Sequence, residues 1–444
     1  MTEPGRSEGQ EPADSAYSYY VVGVLMLAYM FSFIDRTLLS LVLDPVRKDL
    51  DLSETQVSLL AGFAFAAFYT VLGLPFGRWA DTRRRRNLIA LGIGLWSLAT
   101  FACGLASSFW QLFVGRMFVG VGEATLAPGA YSMLPDYFRR ERLGFAMSLF
   151  TCGITIGGGL AMLLGGVVVE WAQTAQPDVP FLGPMAAWQV PFLIVGPPGV
   201  LVALLVLFTV KEPKRRVEPG ATGEALPIRE VMAYLAQHWR TFTPVFLGFT
   251  GIVITGYAFN VWGPVYFMRV HGLSPTEVGL LYAGGFGVAG TAGVLAGGWL
   301  SDRATKRGRA NGPIWVSLWS AILQAPLFIG AYLSPSAPLA MLLFCAALGV
   351  GSVYGGLQGT AIQALTPNRM RGQVGALYLI VANMIGLGLA PTWTAMMTEH
   401  LFGGPQFVGQ SLALTTAIGL TVAIILLTVA LKPARVRIEA LAAR

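Results

Sequence analysis

The chain has 444 residues, of which 55% are hydrophobic and 12% charged, with a formal net charge of +7 and a mean hydropathy of +0.62. A soluble domain carries roughly twice that share of charge, about 25%, so the composition excludes a secreted disulfide scaffold, a disordered chain and an ordinary cytosolic enzyme. It describes a protein dissolved in lipid.

Residues 1–16 contain Glu3, Glu8, Glu11 and Asp14 and read as a disordered cytoplasmic tail. They supply no basic n-region, and the apolar segment behind them is too long for a cleavable signal peptide. Stretches of spanning length then recur at 17–43, 55–79, 87–107, 109–134, 143–170, 187–210, 242–268, 276–300, 312–334, 337–364, 372–400 and 407–431. A span needs about 20 apolar residues. Backbone polar groups in lipid must be satisfied within the segment, so these are twelve helices. The expected fold class is an all-α polytopic membrane protein with two pseudo-symmetric six-helix bundles, 17–210 and 242–432. A linker at 211–241 joins them and a tail at 433–444 follows. In the linker Ile228, Val231, Met232, Leu235 and Trp239 recur at helical spacing and predict a short interfacial helix. The three cysteines, Cys103, Cys152 and Cys345, lie in apolar stretches and read as small core residues.

Orientation follows from Lys and Arg, which concentrate on the cytoplasmic side. With both termini inside, 25 of the 30 fall on inner segments, and only Arg47, Lys48 and Arg269 lie outside. The basic balance therefore reports topology, and no nucleic-acid partner is expected. Short outer loops and the absence of any Asn-x-Ser/Thr sequon suit a bacterial inner membrane.

The halves repeat each other. LSETQVSLL at 52–60 and LSPTEVGLL at 273–281 match at six of nine positions with an offset of 221. The same offset carries Gly77 onto Gly298 and Asp81 onto Asp302, and PDYFRRERLG at 135–144 is echoed by PNRMRG at 367–372. Parallel repeats about an axis normal to the membrane are a transporter architecture, with the substrate site between the halves near the midplane.

GRWADTRRRR at 77–86 and RMFVGVGEA at 116–124 resemble the loop and fourth-helix signatures of the major facilitator superfamily, over essentially 17–432. FIDR at 33–36, GIGLWS at 92–97 and FWQLFVGRMFVGVGEA at 109–124 are similar to its spinster branch. Arg84 stands where the loop signature usually has Gly, and no proline between 136 and 176 supplies the Gly-Pro of the antiporter signature. The resemblance implies alternating access, transport roles for a helix-one Asp and a helix-four Arg and Glu, and lysophospholipid- or sphingosine phosphate-like substrates.

Four charges lie deep within spans, all in the first half: Asp35, Arg36, Arg116 and Glu123. Each costs about 2.5–3.5 kcal/mol at a helix centre, so each is a functional candidate. Arg116 and Glu123 are seven apart and share a helix face. Asp35 and Arg116 lie at matching depth, which makes an Asp35–Arg116 pair available, whereas Arg36 points about 100° away from Asp35. Arg can hold an anionic headgroup bidentately. A carboxylate whose surroundings change between conformations can load and release a proton, with Glu123 the first choice of carrier and Asp35 the second. The alternative for these residues is a static ion-pair cluster that fixes packing. Arg116 and Arg36 are the expected substrate anchors. Tyr257, Asn260, Tyr354, Gln358 and Asn383 form a neutral wall in the second half, with helix–helix contacts as their alternative role. Asp81, Arg85, Asp302 and Arg303 are gating candidates near the inner helix ends.

One charged and one apolar half suit an amphipathic solute, lipid-like or drug-like. The expected function is proton-coupled secondary transport by a monomer, with protons and membrane lipids as further partners, no metal and no cofactor beyond the proton gradient. The alternatives are an uncoupled facilitator or exporter of a small organic anion, and a non-transporting membrane sensor. Only three histidines occur, and no nucleophile–base pair, metal cluster or phosphate loop suggests an enzyme.

Overall fold

The computed structural model describes residues 14–175, 178–179, 183–215 and 227–442. The first half comprises α1 (Ala16–Asp49), α2 (Glu54–Ala80), α3 (Arg85–Cys103), α4 (Phe109–Glu123), α5 (Leu126–Tyr137), α6 (Arg140–Ala175) and α7 (Val190–Thr209). The short α8 (Ile228–Gln237) leads into the second half. That half is α9 (Trp239–His271), α10 (Pro275–Lys306), α11 (Gly312–Leu333), α12 (Ala337–Ser352), α13 (Leu357–Leu365), α14 (Arg371–Leu401) and α15 (Val408–Ala442). A two-residue antiparallel pair, Asp178–Val179 with Gly183–Pro184, lies in the connection between α6 and α7.

Eleven of the expected stretches form helical segments long and apolar enough to cross a membrane. The fourth is different. It breaks after Glu123 into α4 and α5, neither long enough alone. The Thr125 N–H and hydroxyl both turn back to the Gly122 carbonyl, at 3.2 and 2.8 Å. Pro128 then lacks the N–H that would continue the ladder to Ala124. The matching stretch of the second half is interrupted at residues 353–356, between α12 and α13. The repeat therefore extends to a break in each fourth helix. α15 also runs on through the residues expected to form a separate tail.

Local sequence explains the helix ends that matter here. Ser53 and Ser274 cap α2 and α10, each in a reciprocal box with Gln56 and Glu277. These are the residues of the 221-residue repeat. α9 ends at Gly272 in the left-handed region, φ 67°, and Leu273 N–H closes onto the Phe267 carbonyl.

Within the halves, α1 packs on α6, α3 on α7, α9 on α15 and α11 on α12. Between them, α2 meets α14 and α6 meets α10. At the end remote from the termini these contacts are glycine-tight. A Cβ at Gly62 would sit 2.7 Å from the Leu387 carbonyl oxygen, one at Gly166 2.3 Å from that of Pro275, and one at Gly279 2.4 Å from that of Met162. Toward the termini the matching helices part: nothing stands within 4 Å of a Cβ at Gly73, Gly77, Gly298, Gly372 or Gly375.

Cys103 is buried and Cys345 half-buried, as core residues should be. Cys152 is exposed on α6, so the core reading fails for it.

Candidate functional site

The four deep charges converge where α1, α2 and α4 meet. Two glycines of the RMFVGVGEA stretch make this possible. A Cβ at Gly120 would lie 2.5 Å from the Phe65 carbonyl oxygen on α2, and one at Gly122 2.6 Å from the Gly92 carbonyl oxygen on α3. Small residues thus bring three backbones together around the charges.

The pairing differs from the one that depth suggests. Glu123 is bound by Arg36, whose Nε lies 2.5 Å from Oε2, and Ser32 donates its hydroxyl to the same oxygen at 2.7 Å. Ser32 and Arg36 are four apart on α1, so one helix face supplies both donors. Arg116 donates instead to the backbone carbonyl of Asp35, at 3.3 Å. No ion pair forms between the Asp35 and Arg116 side chains among the described residues. Neighbouring α1 residues diverge by about 100°, so Arg36 rather than Asp35 shares the Ser32 face that meets Glu123.

Burial is nearly complete. Asp35, Arg116 and Glu123 are 3%, 2% and 1% exposed, whereas the Arg36 side chain keeps 16%. Among the described residues, Asp35 Oδ1, Glu123 Oε1 and Arg116 Nε have no hydrogen-bond partner. Buried polar atoms without partners are costly in a static structure, and here three belong to ionisable groups in one cluster.

Aromatic side chains complete the site, and sequence reasoning missed them. The Arg36 guanidinium lies 4.5 Å from the Tyr69 ring centroid, 4.8 Å from Phe65 and 4.9 Å from Phe33. Arg116 lies 5.5 Å from Phe65, so one ring serves both cations. In a span such rings count as apolar, and only their spacing around Arg36 could have shown them. Tyr257 reaches across from α9 to pack against this cluster, close enough to Arg36 to feel its charge. Tyr354 lies in the break between α12 and α13, near Tyr257. Gln358 accepts from the Tyr378 hydroxyl at 2.5 Å. Asn260 and Asn383 are half-buried, Asn383 opening the π-helical turn of α14. Of these five residues, Tyr257 is the one drawn into the charged cluster.

The Major Facilitator Superfamily profile matches residues 25–391. This chain belongs to that superfamily. It is 27% identical to an MFS-type efflux pump of Mycolicibacterium smegmatis over 90% of this chain and 89% of that protein. It is 25% identical to Protein spinster of Drosophila melanogaster over 88% of this chain and 64% of that one. The probable L-galactonate transporter of Escherichia coli is 26% identical over 85% and 83% of the two chains. Among solved structures, a bacterial homolog of the human lysosomal transporter spinster, in an inward-facing and unoccupied conformation, superposes with a TM-score of 0.80. The two are 27% identical over 96% of this chain and 99% of that one. A D-xylose-proton symporter, 17% identical, shares the fold with a TM-score of 0.67. The protein is a transporter of this superfamily rather than an enzyme, and it is similar to spinster proteins.

In this facilitator the three gating candidates with described side chains, Arg85, Asp302 and Arg303, do not bond one another. Arg85 is 1% exposed and bonded within its own half, to Asp136, to Glu212 at 2.8 Å, and to the Ser132 and Pro213 carbonyls. It ties α3 to α5 and to the start of the linker. The Asp81 side chain lies outside the described residues. Asp302 and Arg303 are exposed, with Arg303 over the Trp299 ring at 5.2 Å.

The links between the halves lie at the opposite end, on residues outside the sequence-derived site. Arg269 of α9 reaches both Asp44 oxygens, at 2.8 and 2.7 Å, and Glu54 at 3.2 Å. Two further links are reciprocal. Glu399 at the end of α14 accepts from the Thr55 N–H and hydroxyl, at 3.1 and 2.7 Å. Glu170 near the end of α6 accepts from the Thr276 N–H at 3.2 Å. Thr55 and Thr276 are equivalent in the repeat, so each half's second helix is capped at its N-terminus by a glutamate from the other half.

Proposed function

We propose that the protein is a proton-coupled secondary transporter of an amphipathic solute with an anionic headgroup, working as a monomer in a bacterial inner membrane with both termini in the cytoplasm. The observation that carries this reading is Arg36: a partly exposed guanidinium in an aromatic box, with its Nε committed to buried Glu123. An anionic headgroup arriving at Arg36 competes with Glu123 for the cation. A carboxylate left buried without its cation takes up a proton. Headgroup and proton therefore promote each other's binding, and by linkage the effect is reciprocal. Arg116 and Asp35 form the inner wall, Asp35 as a second proton site. Tyr257, Asn260, Tyr354, Gln358 and Asn383 contact the tail, and Asp81, Arg85, Asp302 and Arg303 serve the cytoplasmic gate. The substrate class draws support from the aromatic box and from the likeness to spinster proteins.

A second reading is a small organic anion. Relatives that carry it include the probable L-galactonate transporter and a hexuronate transporter of Bacillus subtilis. The exposed donors of Arg36 suit a sugar-acid carboxylate equally well.

The deciding experiment is substrate binding to purified protein, with a lysophospholipid panel in one arm and galactonate and glucuronate in the other, each at two pH values. The lipid reading expects a lysophospholipid or sphingosine phosphate to bind more tightly at the lower pH, with Arg36→Ala removing the pH dependence. Binding of the sugar acids alone transfers the site to the second reading. Binding of neither class, with no flux in vesicles, favours the sensor.

A further inference from the structure

We infer that a groove between the start of α9 and the end of α15 binds the headgroup of an anionic membrane phospholipid. The groove is a cavity of about 480 Å³ whose charged lining residues, Lys432 and Arg437, are both basic, with His238 beside them. Pro433 and Val436 form its apolar side. Among the described residues neither Lys432 nor Arg437 makes an ion pair. Arg437 is oriented from behind, its Nη2 donating to the Tyr234 hydroxyl at 2.6 Å, and that hydroxyl is itself fixed on the Leu365 carbonyl at 3.0 Å. The neighbouring Arg435, by contrast, is paired with Glu439 at 2.8 Å and is not part of the lining.

The surroundings place this groove at the lipid–water boundary. α8 buries Val231 against the second half and leaves Ile228 and Met232 more than half exposed, with Trp239 56% exposed at the turn into α9. An exposed apolar ridge ending in Trp beside a basic cavity is how a helix sits on a bilayer surface. Val436, 60% exposed, continues the apolar surface beside Arg437. The charge calls for a phosphate, and the apolar flank calls for the acyl chains attached to it. A free phosphate would use the first and leave the second to water.

Native mass spectrometry of the full chain, titrated with dioleoylphosphatidylglycerol against dioleoylphosphatidylcholine, tests this. Each basic residue near an anionic lipid contributes about fivefold in binding. Lys432→Gln, which alters one exposed and unpaired side chain, should weaken phosphatidylglycerol binding about fivefold, and Lys432→Gln with Arg437→Gln more than tenfold. The charge-matched pair Arg435→Gln with Lys306→Gln should leave it within about twofold, and millimolar inorganic phosphate should not displace the lipid. Equal losses in the two double variants would reduce the effect to bulk charge and overturn the site. Phosphatidylcholine binding as well as phosphatidylglycerol, or displacement by inorganic phosphate, would overturn it too.

Discussion

At the scale of single residues, the account turns on which arginine neutralises Glu123. The structure assigns this to Arg36, and the assignment has an energetic signature. Removing one partner of a buried ion pair costs about 3–5 kcal/mol, because the other charge is left stranded. Arg36→Ala should therefore destabilise the protein by about that amount in detergent unfolding. The double variant Arg36→Ala with Glu123→Gln should recover most of the loss, since no charge remains to strand. Arg116→Ala with Glu123→Gln should show no such recovery, because Arg116 bonds the Asp35 carbonyl. Additive losses in the first pair would contradict the assignment. All four deep charges were legible in the sequence, because a charge in a span stands out against lipid. Their pairing was not, since depth along a helix is readable from residue counts but azimuth depends on how α1 and α4 are rotated against each other. The aromatic box was hidden for a different reason: Phe33, Phe65 and Tyr69 are ordinary residues for a span.

At the scale of helices, glycine positions decide how closely the halves approach. The repeat that marks the duplication also supplies the caps of α2 and α10, so this part of the architecture could be read before any coordinates. The interruption after Glu123 could not, since Thr125 and Pro128 look unremarkable in an apolar run. It matters because it ends α4 at Glu123 itself, one of the two residues that pair at the centre of the site. The tight crossings at Gly166 and Gly279 yield a test. A Cβ at either would fall within 2.5 Å of a backbone oxygen, which no side-chain rotation relieves. Gly166→Val or Gly279→Val should therefore push α6 and α10 apart and depopulate the conformation closed at the end remote from the termini. Gly298→Val, at a position with open space, should not. Accessibility of single cysteines to a membrane-impermeant maleimide checks this, and equal labelling in all three variants would count against the packing argument.

For the whole molecule, closure at that end rests, among the described residues, on three polar links, and two of them are a symmetric pair. Glutamates of α6 and α14 each cap the second helix of the opposite half, and Arg269 bridges Asp44 and Glu54 beside them. Spin labels at Lys48 and Gln406, on opposite halves, report this closure. Glu170→Gln with Glu399→Gln should shift the distance distribution toward a longer population, and adding Arg269→Gln should shift it further. An unchanged distribution in the triple variant would mean that apolar packing alone holds the end shut. The sequence placed Arg47, Lys48 and Arg269 on that side without a role for any of them; for Arg269 the reason is that its partner Asp44 lies 225 residues away in the chain.

The pair at the centre and the closure at the end meet in one claim, that the Glu123–Arg36 pair converts a proton gradient into solute movement. Vesicles containing the purified protein, loaded with the lysophospholipid identified by binding and given a pH gradient, test it most directly. Wild type should accumulate solute against its gradient. Glu123→Gln should lose that accumulation by at least tenfold while still exchanging labelled for unlabelled solute at equilibrium. Gradient-driven accumulation that survives Glu123→Gln intact would contradict the account.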